Sequence, residues 1–402
     1  MRIRIFVRRI LLTMRTLYQK FETLLDRTPT DFKRYLYERV SWDSRMIGVM
    51  GPRGVGKTTL ILQYIKENLD SKRALYVSAD DMYFSENRLF DLADYFYKNG
   101  GEHLFIDEIH KYREWSRELK NMYDSFPTLQ IVFTGSSVLD ILKGSADLSR
   151  RAIIYTLQGL SFREYLNFYH DSDTNAYSLE QIMNHEARLK DIEHPLPLFR
   201  DYLERGYYPV GIENEMTLRL GQMIVQTLES DIPQYANLSV GTSQKLKRLL
   251  SIIAESVPFK PNFSKIAKMI QVSRNSLGDY FSFMEKAGLI AQLRDETGGI
   301  RGLGKVQKVY LDNTNIIFNL AGEKANVGNL RESFFLNQMR VKHEVLNSKK
   351  SDFIIDNTTF EIGGKNKQQG QIDKDGRSYV VKDNIEYGYL NVIPLWAFGL
   401  SY

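Results

Sequence analysis

The sequence predicts an α/β protein built on a parallel sheet, continued by helical, small basic and mixed α/β regions. Three observations carry that prediction. Between residues 41 and 160, short apolar runs alternate with stretches of helical periodicity, the pattern of strands joined by crossover helices. One of those runs, Met46–Met50, leads at once into Gly51-Pro52-Arg53-Gly54-Val55-Gly56-Lys57-Thr58. Another, Leu104-Phe105-Ile106, ends in the adjacent acids Asp107 and Glu108.

At 402 residues the chain is long enough for several cores, and 43% apolar with 26% charged residues is ordinary globular composition. The absence of cysteine excludes a disulfide framework, thiolate-bound zinc, iron–sulfur clusters and thiol catalysis. Six histidines leave little for a histidine-rich metal site. No apolar run reaches the ~18–20 residues needed to span a bilayer, so no membrane role and a cytoplasmic location are expected. A net charge of +5 is too mild to name a partner. Residues 1–15 hold five arginines and no acid, as a targeting leader would. Arg8 and Arg9 break the apolar stretch, however, and no small-residue cleavage site follows. The segment is read as a disordered basic extension outside the fold, with Met14 an alternative start.

In chain order, residues 16–40 read as a helical segment. Leu17, Phe21, Leu24, Leu25, Phe32, Tyr35 and Leu36 recur at three- and four-residue steps, with a break near Pro29. Residues 41–160 supply strands at Met46–Met50, Ala74–Ser78, His103–Asp107, Ile131–Thr134 and Ile153–Leu157. Helices are expected between them at Thr58–Asn68, Leu89–Tyr97 and Trp115–Tyr123. Residues 161–240 read as a helical linker or lid with proline breaks at His194–Pro197 and Tyr207–Pro209. A compact helical block follows at 241–300. Residues 301–402 read as mixed α and β, with hairpin signals at Asn357-Thr358 and Asp375-Gly376 and an apolar ending at Ile393–Tyr402.

The segment Gly51–Thr58 is a full match to G-x-x-x-x-G-K-[ST] in the strand–loop–helix setting that this motif requires. Its glycines let backbone N–H groups close around phosphate oxygens, and the following helix N-terminus adds partial positive charge. Gly51, Pro52, Arg53, Gly54, Val55, Gly56, Lys57, Thr58 and Thr59 are therefore the nucleotide-binding candidates. Lys57 is expected to reach the β- and γ-phosphates, and the Thr58 hydroxyl to bind Mg²⁺. Asp107 and Glu108 stand at the carboxyl edge of the sheet, where ligands of such sheets bind. Asp107 is expected to hold Mg²⁺ through water, and Glu108 to polarise the attacking water as general base. Thr134, ending the strand Ile131–Thr134, is a candidate to orient water or the γ-phosphate. Arg150 and Arg151 are candidates to stabilise charge on the γ-phosphate, in trans if the chain forms a homo-oligomer. His110 is read as a surface or core residue. No Asn-Lys-x-Asp element for guanine occurs, which favours ATP.

Several stretches together, from Gly51–Thr58 and Phe105–Glu108 with Ile109 to Trp115, through Phe133–Ser137 and Arg151, to Leu160-Ser161-Phe162-Arg163-Glu164-Tyr165, resemble a known group. They look like the uncharacterised prokaryotic predicted ATPases of the AAA+ superfamily. The resemblance extends from about residue 17 to 402 and includes Ile393-Pro394-Leu395-Trp396-Ala397-Phe398-Gly399. It implies an AAA+ core, a winged helix and a C-terminal domain of unknown function, and it carries over Lys57, Thr58, Asp107, Glu108, Thr134 and Arg151. Many relatives have glycine before that arginine, where this chain has Arg150.

Positive charge concentrates at residues 241–310, which hold twelve Lys or Arg against five Asp or Glu. Helices are expected there at Gln244–Ala254, Phe263–Gln271 and Ser273–Ala287. Ser273 would cap the third, whose apolar stripe is Leu277, Tyr280, Phe281 and Met284. A strand at Leu289–Leu293 and the turn Gly298–Gly304 would complete a winged helix-turn-helix. Lys265, Lys268, Arg274, Arg301 and Lys305 are expected to meet the phosphates of duplex DNA; the alternative is a module that docks a partner protein. In the tail, Asp352 with Glu361 and Lys365 vaguely resembles the PD-(D/E)xK nuclease hairpin, though with two extra residues in the usual spacing. A structural hairpin is the expectation there.

Overall fold

The computed structural model describes residues 2–135, 148, 150–210, 215–236, 238–255, 261–295, 305–322, 325–365 and 377–402; for residues 2–13, 234, 235 and 240 it describes the backbone alone. The chain divides into two units, Met1–Gln158 and Gly159–Tyr402.

The first unit opens with helix α1 (Arg2–Arg27). The basic stretch that the sequence leaves outside the fold is thus the beginning of this helix. Residues 2–27 contain no proline or glycine and are rich in Leu, Arg and Ile, so nothing local interrupts the helix that Met14, Leu17 and Phe21 anchor by burial. Helical structure does not continue to Val40: after Pro29 the chain forms turns. Trp42 then stacks on Tyr64 with ring centroids 3.9 Å apart.

Five strands follow, with helices between them: β1 (Met46–Met50), α2 (Lys57–Asn68), β2 (Ala74–Ser78), α3 (Leu89–Lys98), β3 (His103–Asp107), α4 (Trp115–Ser125), β4 (Gln130–Gly135) and β5 (Ile153–Thr156). All neighbours pair in parallel, in the order β2-β3-β4-β1-β5. β1 is buried throughout and β4 from Ile131 onward, as a sheet covered on both faces requires. Because the strands are parallel, every loop that follows a strand leaves from the same edge. β4 lies between β1 and β3, with Val49 opposite Thr134 and Ile106 opposite Phe133. The strand that carries the glycine-rich loop and the strand that carries the acids are therefore next-nearest neighbours, with Thr134 between them.

The second unit is helical through its first part. An aromatic cluster joins Phe162, Phe199, Tyr202 and Phe334, with Phe162–Phe199 centroids at 5.2 Å and Phe199–Phe334 at 4.8 Å. Ser161 and Glu164 form a capping box at the start of the helix Phe162–Tyr169, and the Arg163 Nε–H donates to the Tyr402 carbonyl at 2.8 Å. The residues Leu160–Tyr165 thus organise this unit from within.

The basic block contains helices Val240–Glu255, Phe263–Met269 and Arg274–Lys286, then antiparallel strands β6 (Ile290–Arg294) and β7 (Val306–Leu311). The Ser273 side chain accepts from the Ser276 N–H as N-cap, and Leu277, Tyr280, Phe281 and Met284 are the buried residues of the third helix. The turn Gly298–Gly304, Arg301 included, lies outside the described residues.

The last sheet comprises β8 (Leu346–Asn347), β9 (Phe353–Ile355), β10 (Thr358–Gly363), β11 (Ser378–Lys382) and β12 (Val392–Pro394), in the order β12-β11-β10-β9-β8. Asp356 and Asn357, at φ 47° and 64°, make the two-residue turn between β9 and β10, the backbone that favours Asn and Asp. The second hairpin signal, Asp375-Gly376, lies outside the described residues. β10 and β11 pair in parallel, with Thr359 opposite Ser378.

Candidate nucleotide-binding site

The loop after β1 is shaped by its glycines. Gly54 and Gly56 sit at φ 76° and 94°, and a Cβ at Gly51 would run into the Leu157 carbonyl oxygen. Arg34, buried in the segment before β1, donates to the carbonyls of Val55 and Gln158, the latter at 2.7 Å, and so braces the loop from behind. Helix α2 starts after Gly56 with no side-chain cap and no acid in its first turn. Its first N–H groups and its dipole are thereby left for an anion.

Lys57 is buried, and its ammonium donates to the carbonyls of Gly51 at 3.0 Å and Pro52 at 2.8 Å. Burial pushes its pKa down to about 8, against the raising effect of Glu108 and Asp107. Such a cation is poorly solvated where it stands and gains most from an arriving polyanion.

Asp107 is the hub of the site. Its Oδ2 accepts from the Thr58 hydroxyl at 2.6 Å and the Tyr76 hydroxyl at 2.8 Å. Its Oδ1 accepts from the Thr134 hydroxyl and from the Glu108 N–H at 3.0 Å. Three strands and the start of α2 thus converge on one carboxylate. Burial and the neighbouring Asp107 hold the Tyr76 phenol well above its usual range, so it remains a donor. An all-oxygen set of hydroxyl and carboxylate suits a hard divalent cation such as Mg²⁺.

Glu108 follows in the left-handed region at φ 50°, an uncommon backbone for a non-glycine residue. Its Oε2 lies 3.5 Å from Nε2 of His110, which is buried. Burial pushes the His110 pKa down to about 3, so the ring is neutral. This value lies below that of an unfolded histidine. As pH falls below about 6.5 the unfolded chain takes up a proton that the folded chain refuses. Stability is therefore complete above about 6.5 and is lost progressively as pH falls towards 3. The slope approaches ~1.4 kcal/mol per pH unit from this residue. His110→Gln is expected to flatten the pH dependence of the unfolding free energy from urea titrations by up to that amount between about pH 4.5 and 6.5; parallel curves would remove His110 as the cause.

The structure therefore brings together Lys57, Thr58, Asp107, Glu108 and Thr134, with Gly51 to Thr59 forming the loop. Arg151 is held elsewhere: its guanidinium donates twice to Asp124, at 3.0 Å for both bonds, while Arg150 is exposed. Arg34 and Tyr76 are functional residues that the sequence does not mark. Tyr76 and Arg34 carry no local signal, since each is recognised only by what lies opposite it in the fold. Of the two places expected for His110, surface or core, the structure gives the core.

Residues 43–166 match the AAA domain family. Residues 196–326 match a domain of unknown function, DUF8612, which spans the helical region and the basic block. An uncharacterized protein of Methanocaldococcus jannaschii is 25% identical over 287 residues, covering 66% of this chain and 60% of that protein. The matched region thus spans about 60% of the archaeal relative's length. Among solved structures, the chain is similar to the Walker-type ATPase of Pyrococcus abyssi, at 14% identity and TM-score 0.45 over 74% of this chain and 99% of that one. It is also similar to AMPPCP-bound DnaA from Aquifex aeolicus, at 11% identity and TM-score 0.29, over 62% of this chain and 85% of that one. The AAA domain match agrees with the five-stranded parallel sheet, and both identify a P-loop NTPase core. No helix among the described residues is long and apolar enough to cross a membrane.

Proposed function

We propose that this chain is a cytoplasmic, Mg²⁺-dependent ATPase whose nucleotide state gates a DNA-binding winged helix at residues 241–310. The observation that carries the ATPase reading is the convergence of Thr58 and Asp107, 2.6 Å apart, beside the buried Lys57 ammonium at an uncapped helix N-terminus. In this reading the loop Gly51–Thr59 wraps the phosphates and Lys57 neutralises the β- and γ-phosphates. Thr58 and Asp107 hold the metal, which supplies charge neutralisation when bound. Glu108 takes the proton of the attacking water, and Thr134 orients that water or the γ-phosphate. For Arg151 to serve as a finger, its pair with Asp124 must first open, and a neighbouring copy of the chain would supply it; Arg150 is the alternative.

The DNA part of the reading rests on the order of three helices and two antiparallel strands, with Lys265, Lys268, Arg274 and Lys305 all exposed. The nuclease alternative has less to recommend it. Asp352 accepts from the Lys308 ammonium at 3.2 Å and the Ile362 N–H at 2.9 Å, and Lys308 also reaches Glu332 at 3.3 Å. An ammonium thus stands where a metal would be needed. Among the described residues no group of three or more metal-ligating side chains is gathered.

ATP turnover measured with and without duplex DNA, with the DNA then run on a gel, tests the whole reading. Stimulation by DNA is expected, and the DNA stays intact. Its binding should weaken with salt at a log–log slope of about −4 for four or five phosphate contacts. Turnover indifferent to DNA would favour a nucleotide switch that docks a partner protein; cleaved DNA would revive the nuclease.

A further inference from the structure

The chain passes from its first unit to its second between Gln158 and Gly159, and the backbone is held on both sides of that point. Within the first unit, residues 156–158 run along the start of the phosphate loop. The Leu157 N–H donates to the Met50 carbonyl at 2.7 Å, and the Leu157 carbonyl oxygen packs so closely on Gly51 that a Cβ there would run into it. The Tyr35 hydroxyl donates to the Thr156 carbonyl at 3.0 Å and accepts from the Gln158 N–H at 3.4 Å.

Within the second unit, the next two residues are gripped in turn. A Cβ at Gly159 would run into the Tyr207 ring. The Leu160 N–H donates to the Tyr207 carbonyl at 2.7 Å, and the Tyr202 hydroxyl donates to the Leu160 carbonyl at 2.7 Å. Both tyrosines are buried. Extended backbone advances only about 3.3 Å per residue, so no slack separates these two sets of bonds.

Arg34 ties the loop itself to this stretch. It is buried, and its guanidinium donates from one nitrogen to the Val55 carbonyl and from another to the Gln158 carbonyl, the latter at 2.7 Å. A planar fork fixes the separation of the two carbonyls it bonds, which the single nitrogen of a lysine cannot do. The loop, in turn, responds to phosphate. Lys57 donates to the carbonyls of Gly51 and Pro52, and a phosphate that draws the ammonium to itself weakens those bonds, so the backbone from Gly51 to Lys57 resettles.

We propose that Arg34 is a positioning residue that passes the state of the phosphate loop to Gln158 and so, along two held residues, to Leu160 in the second unit. The proposal rests on the nucleotide reading above and adds the route by which that reading reaches the second unit. A shift at Val55 moves the Gln158 carbonyl, and the load falls on the bonds that Leu160 makes to Tyr207 and Tyr202.

Hydrogen exchange of the full-length chain, read by mass spectrometry with and without AMP-PNP and Mg²⁺, tests this. In the parent, the nucleotide is expected to slow exchange in peptides covering 51–59. It should also change exchange about threefold or more in peptides covering 160–170 and 199–208. Arg34→Lys keeps the charge without the fork. It is expected to bind AMP-PNP within about fivefold of the parent and to keep the protection at 51–59, while the response of the second-unit peptides is lost. Tyr35→Phe, which removes the hydroxyl bonds to Thr156 and Gln158, should roughly halve that response. If Arg34→Lys lowers the thermal midpoint, Tyr35→Phe carries the test. A second-unit response equal to the parent's in the variant that carries the test would overturn the proposal. So would a parent in which 51–59 is protected and the second unit does not respond. No protection at 51–59 in the parent would count against the nucleotide reading itself, and the proposal would fall with it.

Discussion

Lys57→Ala is expected to abolish detectable binding of ATP, a loss of about 3–5 kcal/mol or at least a hundredfold in Kd, read by calorimetry with Mg²⁺ present. The size follows from where the ammonium stands. It is buried, it donates to the carbonyls of Gly51 and Pro52, and burial has already lowered its pKa to about 8. A charge held that way contributes little to the fold and much to a phosphate that arrives beside it. The thermal midpoint of Lys57→Ala should accordingly hold or rise, because a desolvated cation is removed. A variant that loses binding and stability together would show that Lys57 is structural. One that binds ATP as the parent does would remove the phosphate loop from the account.

Glu108→Gln is expected to keep ATP affinity within a few-fold and to lower turnover by about 10²–10⁴, the range for loss of a general base. Glutamine retains the shape and the contact distance to His110, but it cannot take a proton from water. The strained backbone at Glu108 and the bonds from its N–H to Asp107 and Thr134 come from the main chain, so they persist in the variant. Single-turnover hydrolysis alongside nucleotide binding separates the two effects. Equal turnover in variant and parent would remove Glu108 from the chemistry. A parallel loss of binding would point instead to a disturbed Asp107.

The first unit was legible because its signals are local. β1, β2 and β3 occupy the residues expected of them, and helices α2 to α4 begin within a residue of expectation. Each strand is an apolar run bounded by turn formers, and the phosphate loop is defined by neighbours in sequence. Errors occurred where the deciding contacts were distant. The basic start of the chain continues α1 because nothing in it breaks a helix and Met14, Leu17 and Phe21 anchor it. The parallel pairing of β10 with β11, which sets Thr359 opposite Ser378, has no signal in either strand's own sequence. A turn signal describes four residues and says nothing of strand direction across a longer connection.

Sequence by itself determined that a glycine loop, a lysine and a hydroxyl sit together after a strand, and that two acids end another. Those are statements about neighbours along the chain, which backbone geometry converts directly into a local shape. Only the tertiary structure decided that β4 separates those two strands. The same arrangement delivers Thr134 and Tyr76 to one carboxylate, takes Arg34 to the back of the loop and pairs Arg151 with Asp124. Strand order is chosen by how whole faces pack, so residues tens of positions apart meet for reasons no short stretch of sequence contains.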